Sequence, residues 1–169
     1  MKVYHFINCR YGIRAIQEKK LKVSRIDGLN DPFELLSIDL SHKSQRPAHR
    51  KRKADINDKY GLHCFSKDWK SPLLWSHYAD NHRGICLVFD VPETRLVEIE
   101  YKAERLVDND GLQEDSTLIS DTDHEQLLKT KFEQWQYEEE WRWIINLNEA
   151  KKEGEHYFSE FSSDLTLKK

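Results

Sequence analysis

The stretch from Trp135 to Ile145 constrains the fold of this chain more than any other part of its sequence. It reads WQYEEEWRWII and joins three consecutive glutamates to an alternating aromatic run. In an extended strand, successive side chains point to opposite faces of the sheet. One face would carry Trp141, Trp143, Ile145 and Leu147, and the other Glu138, Glu140 and Arg142. We therefore predict a strand with one face in the core and one polar face that is available for chemistry.

The length and composition of the chain indicate one folded domain. It has 169 residues, of which 38% are hydrophobic and 11% aromatic, enough to bury a core of ordinary size. We expect residues 1–169 to form a single domain. No run is long enough to span a membrane and the first residues lack the pattern of a signal peptide, so we expect a cytoplasmic protein without a membrane partner. Three widely spaced cysteines, Cys9, Cys64 and Cys86, suit reduced thiols.

Periodicity and turn signals predict short strands that alternate with helices. Strands are expected over residues 3–7, 21–26, 62–66, 84–91, 95–102 as a partner of the preceding strand, and 156–161, in addition to the strand above. Helices are expected over residues 13–20, 72–78 and 124–135, and residues 35–40 fit either a strand or a helix. The second helix would have Ser71 as its N-cap and Pro72 at its first position. The fold class that follows is a mixed α+β domain with about three helices.

The charge of the chain is unevenly distributed. Its net charge of -3 gives no overall reason to bind nucleic acid. Residues 43–53 are nevertheless rich in lysine and arginine, and residues 108–125 are acidic. The ordinary interpretation of both segments is an exposed, solvated loop. The alternative for the basic segment is binding to nucleic-acid phosphates through Arg50, Lys51, Arg52 and Lys53.

The two carboxylates before the late strand suggest chemistry at a glycosidic bond. A carboxylate held at a strand edge can hydrogen-bond a sugar hydroxyl and stabilise positive charge at the anomeric carbon. Glu138 and Glu140 have suitable spacing, although glutamates in such a run often form only an exposed rim. His5 can hold a ribose hydroxyl or a phosphate, or be an ordinary strand histidine. Ser66 can orient the glutamate, or simply end its strand.

A wider set of motifs accompanies these residues. It consists of YHF at 4–6, LNDPFE at 29–34, HCFS at 63–66, LWSHYAD at 74–80, HRGICLVFD at 82–90 and WQYEEEWR at 135–142. As a set, these motifs resemble the bacterial family known as domain of unknown function 2971. A basic residue on the first strand, a serine that ends a middle strand and Glu-x-Glu before a late strand also resemble the ADP-ribosyltransferase fold.

The resemblance implies an ADP-ribosyltransferase-like split β-sheet core and a site that uses NAD as substrate without a metal. In that site His5, followed by Phe6, would lie against the adenosine-side ribose, and Ser66 would lie on the serine strand. Glu140 would be the catalytic glutamate, and Glu138 the carboxylate that handles the acceptor. The aromatic candidates for stacking on nicotinamide are Phe65, Trp75 and Tyr78, with core packing as the alternative.

The function implied by the resemblance is transfer of ADP-ribose from NAD to a protein or nucleic-acid acceptor. The biological setting it implies is a toxin or an antiphage defence effector, with a neutralising partner. Two alternatives stay open: a non-catalytic nucleic-acid-binding module on the same fold, and an NAD glycohydrolase in which water replaces the acceptor. The chain ends soon after Phe161, earlier than the resemblance leads us to expect, which predicts that a C-terminal strand is missing. A zinc site is not expected, because the spacing of Cys64, His77, His82 and Cys86 fits no common zinc motif.

Overall fold

The structure is a computed structural model, and it describes residues 1–31, 45–104 and 127–168. Within these ranges the structure has the α-helices α1 (Cys9–Glu18), α2 (Gln45–Lys59) and α3 (Pro72–Tyr78), and residues 127–129 are also α-helical. The strands of the same ranges are β1 (Lys2–Ile7), β2 (Lys20–Lys22), β3 (Ser24–Arg25), β4 (Tyr60–Ser66), β5 (Ile85–Asp90), β6 (Val97–Glu98), β7 (Glu100–Lys102), β8 (Thr130–Phe132), β9 (Glu140–Asn146), β10 (Lys151–Glu153), β11 (His156–Glu160) and β12 (Thr166–Leu167). Short 3-10 helices occur at Ile26–Gly28, Glu93–Arg95 and Glu133–Glu138.

The main sheet has the strand order β12-β5-β1-β4-β9-β6, and β3 also pairs with β4. Strands β1, β4 and β9 are antiparallel neighbours, with Tyr4 opposite Ser66 and Ser66 opposite Glu140. A second sheet has the order β10-β11-β2, and β7 pairs with β8 in a parallel two-stranded sheet. The mixed α+β class is therefore confirmed, whereas the ADP-ribosyltransferase-like split core stays a prediction.

Alternation along β1, β4 and β9 gives the main sheet two chemically different faces. The register places Phe6, Cys64, Ser66, Glu140 and Arg142 on one side, which we call the carboxylate face. It places Val3, His5, His63, Phe65, Trp141 and Trp143 on the other side, which we call the aromatic face. The strand predicted from the opening sequence feature therefore separates its aromatic and charged residues as expected.

Helices α2 and α3 pack on the carboxylate face. Leu74 of α3 and the following Ala79 form one core cluster with Phe6. Ile56 of α2 packs with Leu62 of β4 in another cluster. The carboxylate face is therefore covered by helices rather than open to solvent.

Helix α1 and the second sheet pack on the aromatic face. Ala15 of α1 and Leu21 of β2 join Phe65 in a single core cluster. Gly12 lets α1 approach the main sheet closely, because a Cβ atom at this position would lie 2.4 Å from Cδ1 of Ile85. The main sheet is thus the middle layer of the domain.

Several predicted elements are confirmed. The strands predicted over residues 3–7, 62–66, 84–91 and 156–161 are β1, β4, β5 and β11, with small shifts at their ends. The helix with Pro72 at its first position is α3, although the Ser71 side chain makes no capping hydrogen bond. The first predicted helix begins earlier, at Cys9, because the Asn8 side chain accepts a hydrogen bond from a backbone N–H of its first turn.

Two predicted strands are wrong as single elements. The one predicted over residues 21–26 divides at Val23 into β2, which joins the second sheet, and β3, which joins the main sheet. The Val23 side chain is buried, and its backbone N–H donates to the carbonyl of Tyr157 at 2.8 Å. The one predicted over residues 95–102 divides into β6 and β7. These pair with β9 and β8 respectively, so the predicted pairing with β5 is also wrong.

The helix predicted over residues 124–135 is confirmed at residues 127–129 and is wrong beyond them. Thr130–Phe132 forms β8, and the 3-10 helix Glu133–Glu138 follows it. The apolar spacing is misleading only after residue 129, where Phe132 is 44% exposed whereas Leu127 and Leu128 of the helical part are buried. The same 3-10 helix means that Glu138 precedes the strand, which begins at Glu140.

Other predictions lie partly or wholly outside the described residues. They are the element at residues 35–40, the basic segment before residue 45, the acidic segment at 108–125 and the last three residues of the motif at 29–34. The described part of the basic segment belongs to α2, so the prediction of a loop is wrong there. Arg50 and Lys51 are exposed on α2, Lys53 is half-buried and Arg52 is buried. Helical periodicity explains this difference, since every third or fourth residue faces inward.

Candidate active site

Four charged side chains are buried together on the carboxylate side of the main sheet. Lys131 is 6% exposed, Glu138 3%, Glu140 4% and Arg142 1%. We call these four residues the charged cluster. Its two positive and two negative charges balance, which is what allows charges to be buried at all.

Glu140 is held by cations at both of its carboxylate oxygens. Arg142 donates from Nε to Oε1 at 2.7 Å and from Nη2 to Oε2 at 3.1 Å. Lys131 Nζ donates to the same Oε2 at 3.1 Å. The backbone N–H of Glu140 donates to the Tyr101 hydroxyl at 2.9 Å. Both the side chain and the backbone of Glu140 are therefore fixed.

Glu138 has a different environment, with one cation and one hydroxyl. Lys131 Nζ donates to its Oε2 at 2.5 Å, and the Tyr78 hydroxyl donates to its Oε1 at 2.5 Å. Lys131 also lies over the ring of Trp135, 4.8 Å from the ring centroid. The Lys131 ammonium is thus shared by two carboxylates and an aromatic face.

Local backbone geometry brings the two glutamates together. Glu138 ends a 3-10 helix, and Glu139 has φ 43° and ψ 50°, in the left-handed region. That residue separates the 3-10 helix from β9, and Glu138 and Glu140 on its two sides both contact Lys131. Glu139 itself is exposed. The predicted proximity of the two carboxylates is confirmed, but it comes from this turn and not from alternation along a strand.

Burial opposes a charge on both carboxylates, and their neighbours decide the outcome. Burial raises the pKa of Glu138, and the Lys131 charge only partly offsets this effect. At Glu140 burial acts in the same direction, but the charges of Arg142 and Lys131 outweigh it and lower the pKa to about 2. Glu140 is therefore ionised at neutral pH, and Glu138 is the carboxylate that takes up a proton more readily.

Two neutral donors complete the surroundings of the carboxylates. Burial, followed by the charge of Glu138, raises the pKa of Tyr78, so its hydroxyl keeps its proton. Burial and the charge of Glu140 raise the pKa of Cys64, whose thiol hydrogen-bonds Glu140. Cys64 is thus a neutral neighbour of the site rather than a reactive thiolate.

Aromatic rings lie beside the charged cluster. The ring centroids of His77, Trp135 and Tyr137 are 6.0 to 6.3 Å from one another. His77 is exposed, and the other two rings are half-buried. We call these three residues the ring cluster. It adjoins the carboxylates through the contact of Trp135 with Lys131, and it provides planar surfaces of the kind that stack on heteroaromatic ligands.

Ser66 lies on the carboxylate face, directly opposite Glu140 in the register of β4 and β9. Its hydroxyl donates to the carbonyl of Asp68 at 3.0 Å and accepts from the N–H of the same residue at 3.1 Å. The structure therefore brings Ser66 close to the glutamates, with its hydroxyl engaged in the turn that follows β4.

His5 does not converge with Ser66 and Glu140, because it lies on the opposite face of the sheet. Its Nδ1 is 3.0 Å from the carbonyl oxygen of Cys64, and its ring meets Phe65 edge-on with centroids 5.9 Å apart. Burial lowers the pKa of His5, and the hydrogen bond with Cys64 only partly offsets this. The expectation that these three residues share one cleft is wrong. A one-residue offset along β1 is enough to reverse the face.

The remaining ring candidates have separate positions. Phe6 is buried and packs edge-on against Trp75, with centroids 5.3 Å apart. The Trp75 Nε1 donates to the carbonyl of Trp69 at 2.7 Å. Of the predicted set, Tyr78 is the one bonded to Glu138, whereas Phe65 lies in the core of the aromatic face.

Three residues of the site were missed from the sequence: Lys131, Tyr101 and Trp135 as its cation partner. Lys131 lies within the helix that was predicted over residues 124–135, and nothing in its local sequence indicates burial. Tyr101 and Lys131 are opposite each other in the parallel pair β7–β8, which brings together positions 30 residues apart. The one available signal is the charge of Arg142, since a buried arginine on the face of Glu140 requires acidic partners.

A separate surface groove of about 450 Å³ lies elsewhere, among residues of β9, β10 and β11. Its lining includes Trp143, Phe158 and Ser159 and none of the charged cluster. Among the described residues, no group of three or more His, Cys, Asp or Glu side chains has an arrangement that suits a metal ion. In the same ranges, no helix has the length and apolar character needed to cross a membrane.

The fold and the site together define an α+β protein with a buried carboxylate pair beside aromatic rings. Residues 74–143 match the family described as "Protein of unknown function (DUF2971)". The resemblance seen in the motifs is confirmed over that segment, which contains all of the charged cluster and the ring cluster. No curated protein and no solved structure matches the chain.

Proposed function

We propose that this protein is an ADP-ribosyltransferase-like enzyme that cleaves the nicotinamide N-glycosidic bond of NAD and transfers ADP-ribose to a protein or nucleic-acid acceptor. The observation that carries the proposal is the pairing of two adjacent carboxylates in contrasting environments. Glu140 is kept ionised by Arg142 and Lys131, whereas burial favours the protonated form of Glu138. Carboxylate pairs whose pKa values are driven apart are typical of sites that break glycosidic bonds.

In this proposal the two glutamates have separate tasks. The negative charge of Glu140 stabilises the oxocarbenium-like ribose as nicotinamide leaves, and Glu138, in its ionised form, accepts the proton that the acceptor loses as it bonds to the anomeric carbon. Lys131 Nζ makes a single contact with Glu140, at 3.1 Å, whereas Arg142 makes two, so a ribose hydroxyl would replace the Lys131 contact first. Stacking on nicotinamide would fall to the ring cluster and Tyr78, rather than to Phe65 and Trp75.

The position of His5 removes it from this proposal. A side chain on the aromatic face cannot contact the same ribose as a carboxylate on the carboxylate face. Binding of the adenosine side of NAD therefore depends on other residues. Ser66 keeps a supporting place, because it is opposite Glu140 and closes the turn beside it.

The decisive experiment measures nicotinamide release from NAD by chromatography, with mass spectrometry of candidate acceptors. Glu140→Gln and Glu138→Gln should each reduce release at least 100-fold, in line with the usual contribution of such groups. Glu139→Gln is the matched control, since it alters an exposed residue of the same tripeptide and should retain activity. Absence of both nicotinamide release and an NAD-induced thermal shift in the unmodified protein would refute the enzyme proposal.

The glycohydrolase alternative predicts free ADP-ribose in that experiment and no modified acceptor. The toxin or defence setting and the neutralising partner depend on the family resemblance, and the cytoplasmic location depends on the sequence pattern; all three belong to the proposal. Growth arrest on expression that disappears with Glu138→Gln would support the toxin setting.

One observation favours the non-catalytic alternative. Arg50 and Lys51 are exposed on α2, whose described residues carry more basic than acidic side chains. Phosphate contacts by such side chains would make nucleic-acid binding strongly dependent on salt. Arg50→Ala with Lys51→Ala should then weaken binding and flatten its salt dependence. Arg52 is buried and is excluded from this surface.

A further inference from the structure

Lys131 is a single cation placed between two carboxylates. Its Nζ lies 2.5 Å from Oε2 of Glu138 and 3.1 Å from Oε2 of Glu140. The side chain is 5% exposed, as are those of both glutamates, so water does not screen these interactions strongly. A change in the charge of one carboxylate therefore alters the interaction of Lys131 with the other carboxylate.

The position of Lys131 is fixed from several directions. Its residue pairs with Tyr101 in the parallel β7–β8 sheet, and the Tyr101 hydroxyl accepts from the N–H of Glu140. Trp135 covers the ammonium group from the 3-10 helix. The Lys131 ammonium group therefore occupies a defined position relative to both carboxylates.

Protonation would weaken different contacts at the two carboxylates. A proton on Glu140 would weaken contacts with two cations, Arg142 and Lys131. A proton on Oε1 of Glu138 would meet only the Tyr78 hydroxyl, which can reverse its hydrogen bond and accept. Lys131 would keep its contacts with Oε2 of Glu138 and with Glu140.

We propose that Lys131 is a positioning residue that divides the proton chemistry of the site, holding Glu140 ionised and leaving Glu138, with Tyr78, as the group that gains and loses a proton. The other groups that face the pair are Cys64 from β4, Tyr101 from β7, Tyr137 from the 3-10 helix and Arg142 from β9. Arg142 is the one further cation among them. The catalytic use of this division rests on the proposed function, whereas the division itself does not.

The test is a carboxyl titration of the full chain labelled with ¹³C at the glutamate side-chain carboxyl, followed by NMR. Glu138→Gln identifies the Glu138 signal by its loss, and Glu140→Gln does the same for Glu140 if it folds. In the unmodified protein the Glu138 signal should titrate at higher pH than that of Glu140. Lys131→Met should move both titrations to higher pH, Lys131→Arg should restore them, and the exposed Lys70→Met should change neither. A Glu140 signal that titrates above that of Glu138, or an unchanged titration in Lys131→Met, would overturn the inference.

A second arm separates this inference from the proposed function. If NAD is cleaved, the pH profile of nicotinamide release should contain one ionisation that moves to higher pH in Lys131→Met and returns with Lys131→Arg. A tenfold or larger loss of kcat at neutral pH should accompany that shift. If no nicotinamide is released at any pH, the proposed function fails while the NMR titration still decides the role of Lys131.

Discussion

Removal of the Arg142 guanidinium tests whether the charged cluster is as tightly coupled as its geometry implies. Arg142→Met keeps an unbranched side chain but deletes the two bonds to Glu140, at 2.7 and 3.1 Å, and the bond from Nη1 to the carbonyl of Leu128 at 2.9 Å. Glu140 would then be left buried with Lys131 as its remaining charged partner. Breaking a buried pair from one side costs about 3 to 5 kcal/mol.

The ionisation of Glu140 gives an independent magnitude. Its pKa falls from 4.5 to about 2 because the charges of Arg142 and Lys131 outweigh burial. A change of this size corresponds to about 3 kcal/mol of folding stability at neutral pH. Because the folded-state pKa is lowered, this stability is present above pH 4.5 and is lost as the pH falls towards 2. Because Arg142 and Lys131 together produce this lowered pKa, Arg142→Met should remove part of that contribution as well.

Equilibrium unfolding in urea, followed by tryptophan fluorescence, measures the loss directly. The matched control is Arg83→Met, whose guanidinium is 72% exposed and pairs with Asp80 on the surface. We expect the control to cost less than about 1 kcal/mol, as is usual for exposed ion pairs. Adding Glu140→Gln to Arg142→Met should recover part of the loss, because it removes the uncompensated charge. Equal destabilisation by Arg142→Met and Arg83→Met would refute the coupling of the cluster.

Three further predictions concern residues outside the charged cluster. His82 is exposed with φ 66°, the last of three successive residues in the left-handed region, so His82→Val should destabilise by about 1 to 2 kcal/mol in thermal unfolding while His82→Gly should not. A Cβ atom on Gly84 would lie 2.4 Å from the carbonyl oxygen of Ile7, so Gly84→Ala should cost about 1 to 3 kcal/mol in the same assay, and an unchanged Tm would contradict this close contact. Burial lowers the pKa of His63 to about 3, so its contribution to stability falls as the pH decreases below 6.5 and the unfolded chain takes up the proton. His63→Gln should therefore flatten the loss of stability between pH 6 and about 4, and an unaltered pH profile would show that His63 does not titrate as described.

Individual strands of the main sheet were predicted from the sequence better than the segments that connect them. Alternation in β9 and the apolar run of β5 were sufficient, because side-chain period and burial are local properties. The division at Val23 was not predictable from the sequence, since the residues on either side join different sheets and the alternation continues through the break. Helix α2 was likewise not predicted, because its inward positions include polar residues such as His49 and Arg52 and the hydrophobic periodicity of a helix is therefore weak there.

The site was predictable in part for the same reason. Glu138 and Glu140 stand close in sequence, so their proximity required little knowledge of the fold. Lys131 lies beside them because β8 pairs with β7, a contact that the sequence does not reveal. His5 is separated from them because alternation along β1 places it on the opposite face of the sheet. A resemblance in the order of motifs contains no information about which face of a strand a residue occupies. This is why the serine and glutamate positions converge and the histidine does not.

The energetics of the charged cluster argue for a chemical role rather than a purely structural one. Well-packed apolar side chains of similar volume stabilise a protein as well as a buried ion network does, or better. The aromatic face of the same sheet shows that this chain can build such packing, since Phe65, Phe89 and Leu21 form a core cluster there. On the carboxylate face, the chain instead buries two glutamates of contrasting ionisation next to the half-buried rings of Trp135 and Tyr137. Stability alone does not call for that choice, whereas the proposed substrate, with its developing positive charge, would.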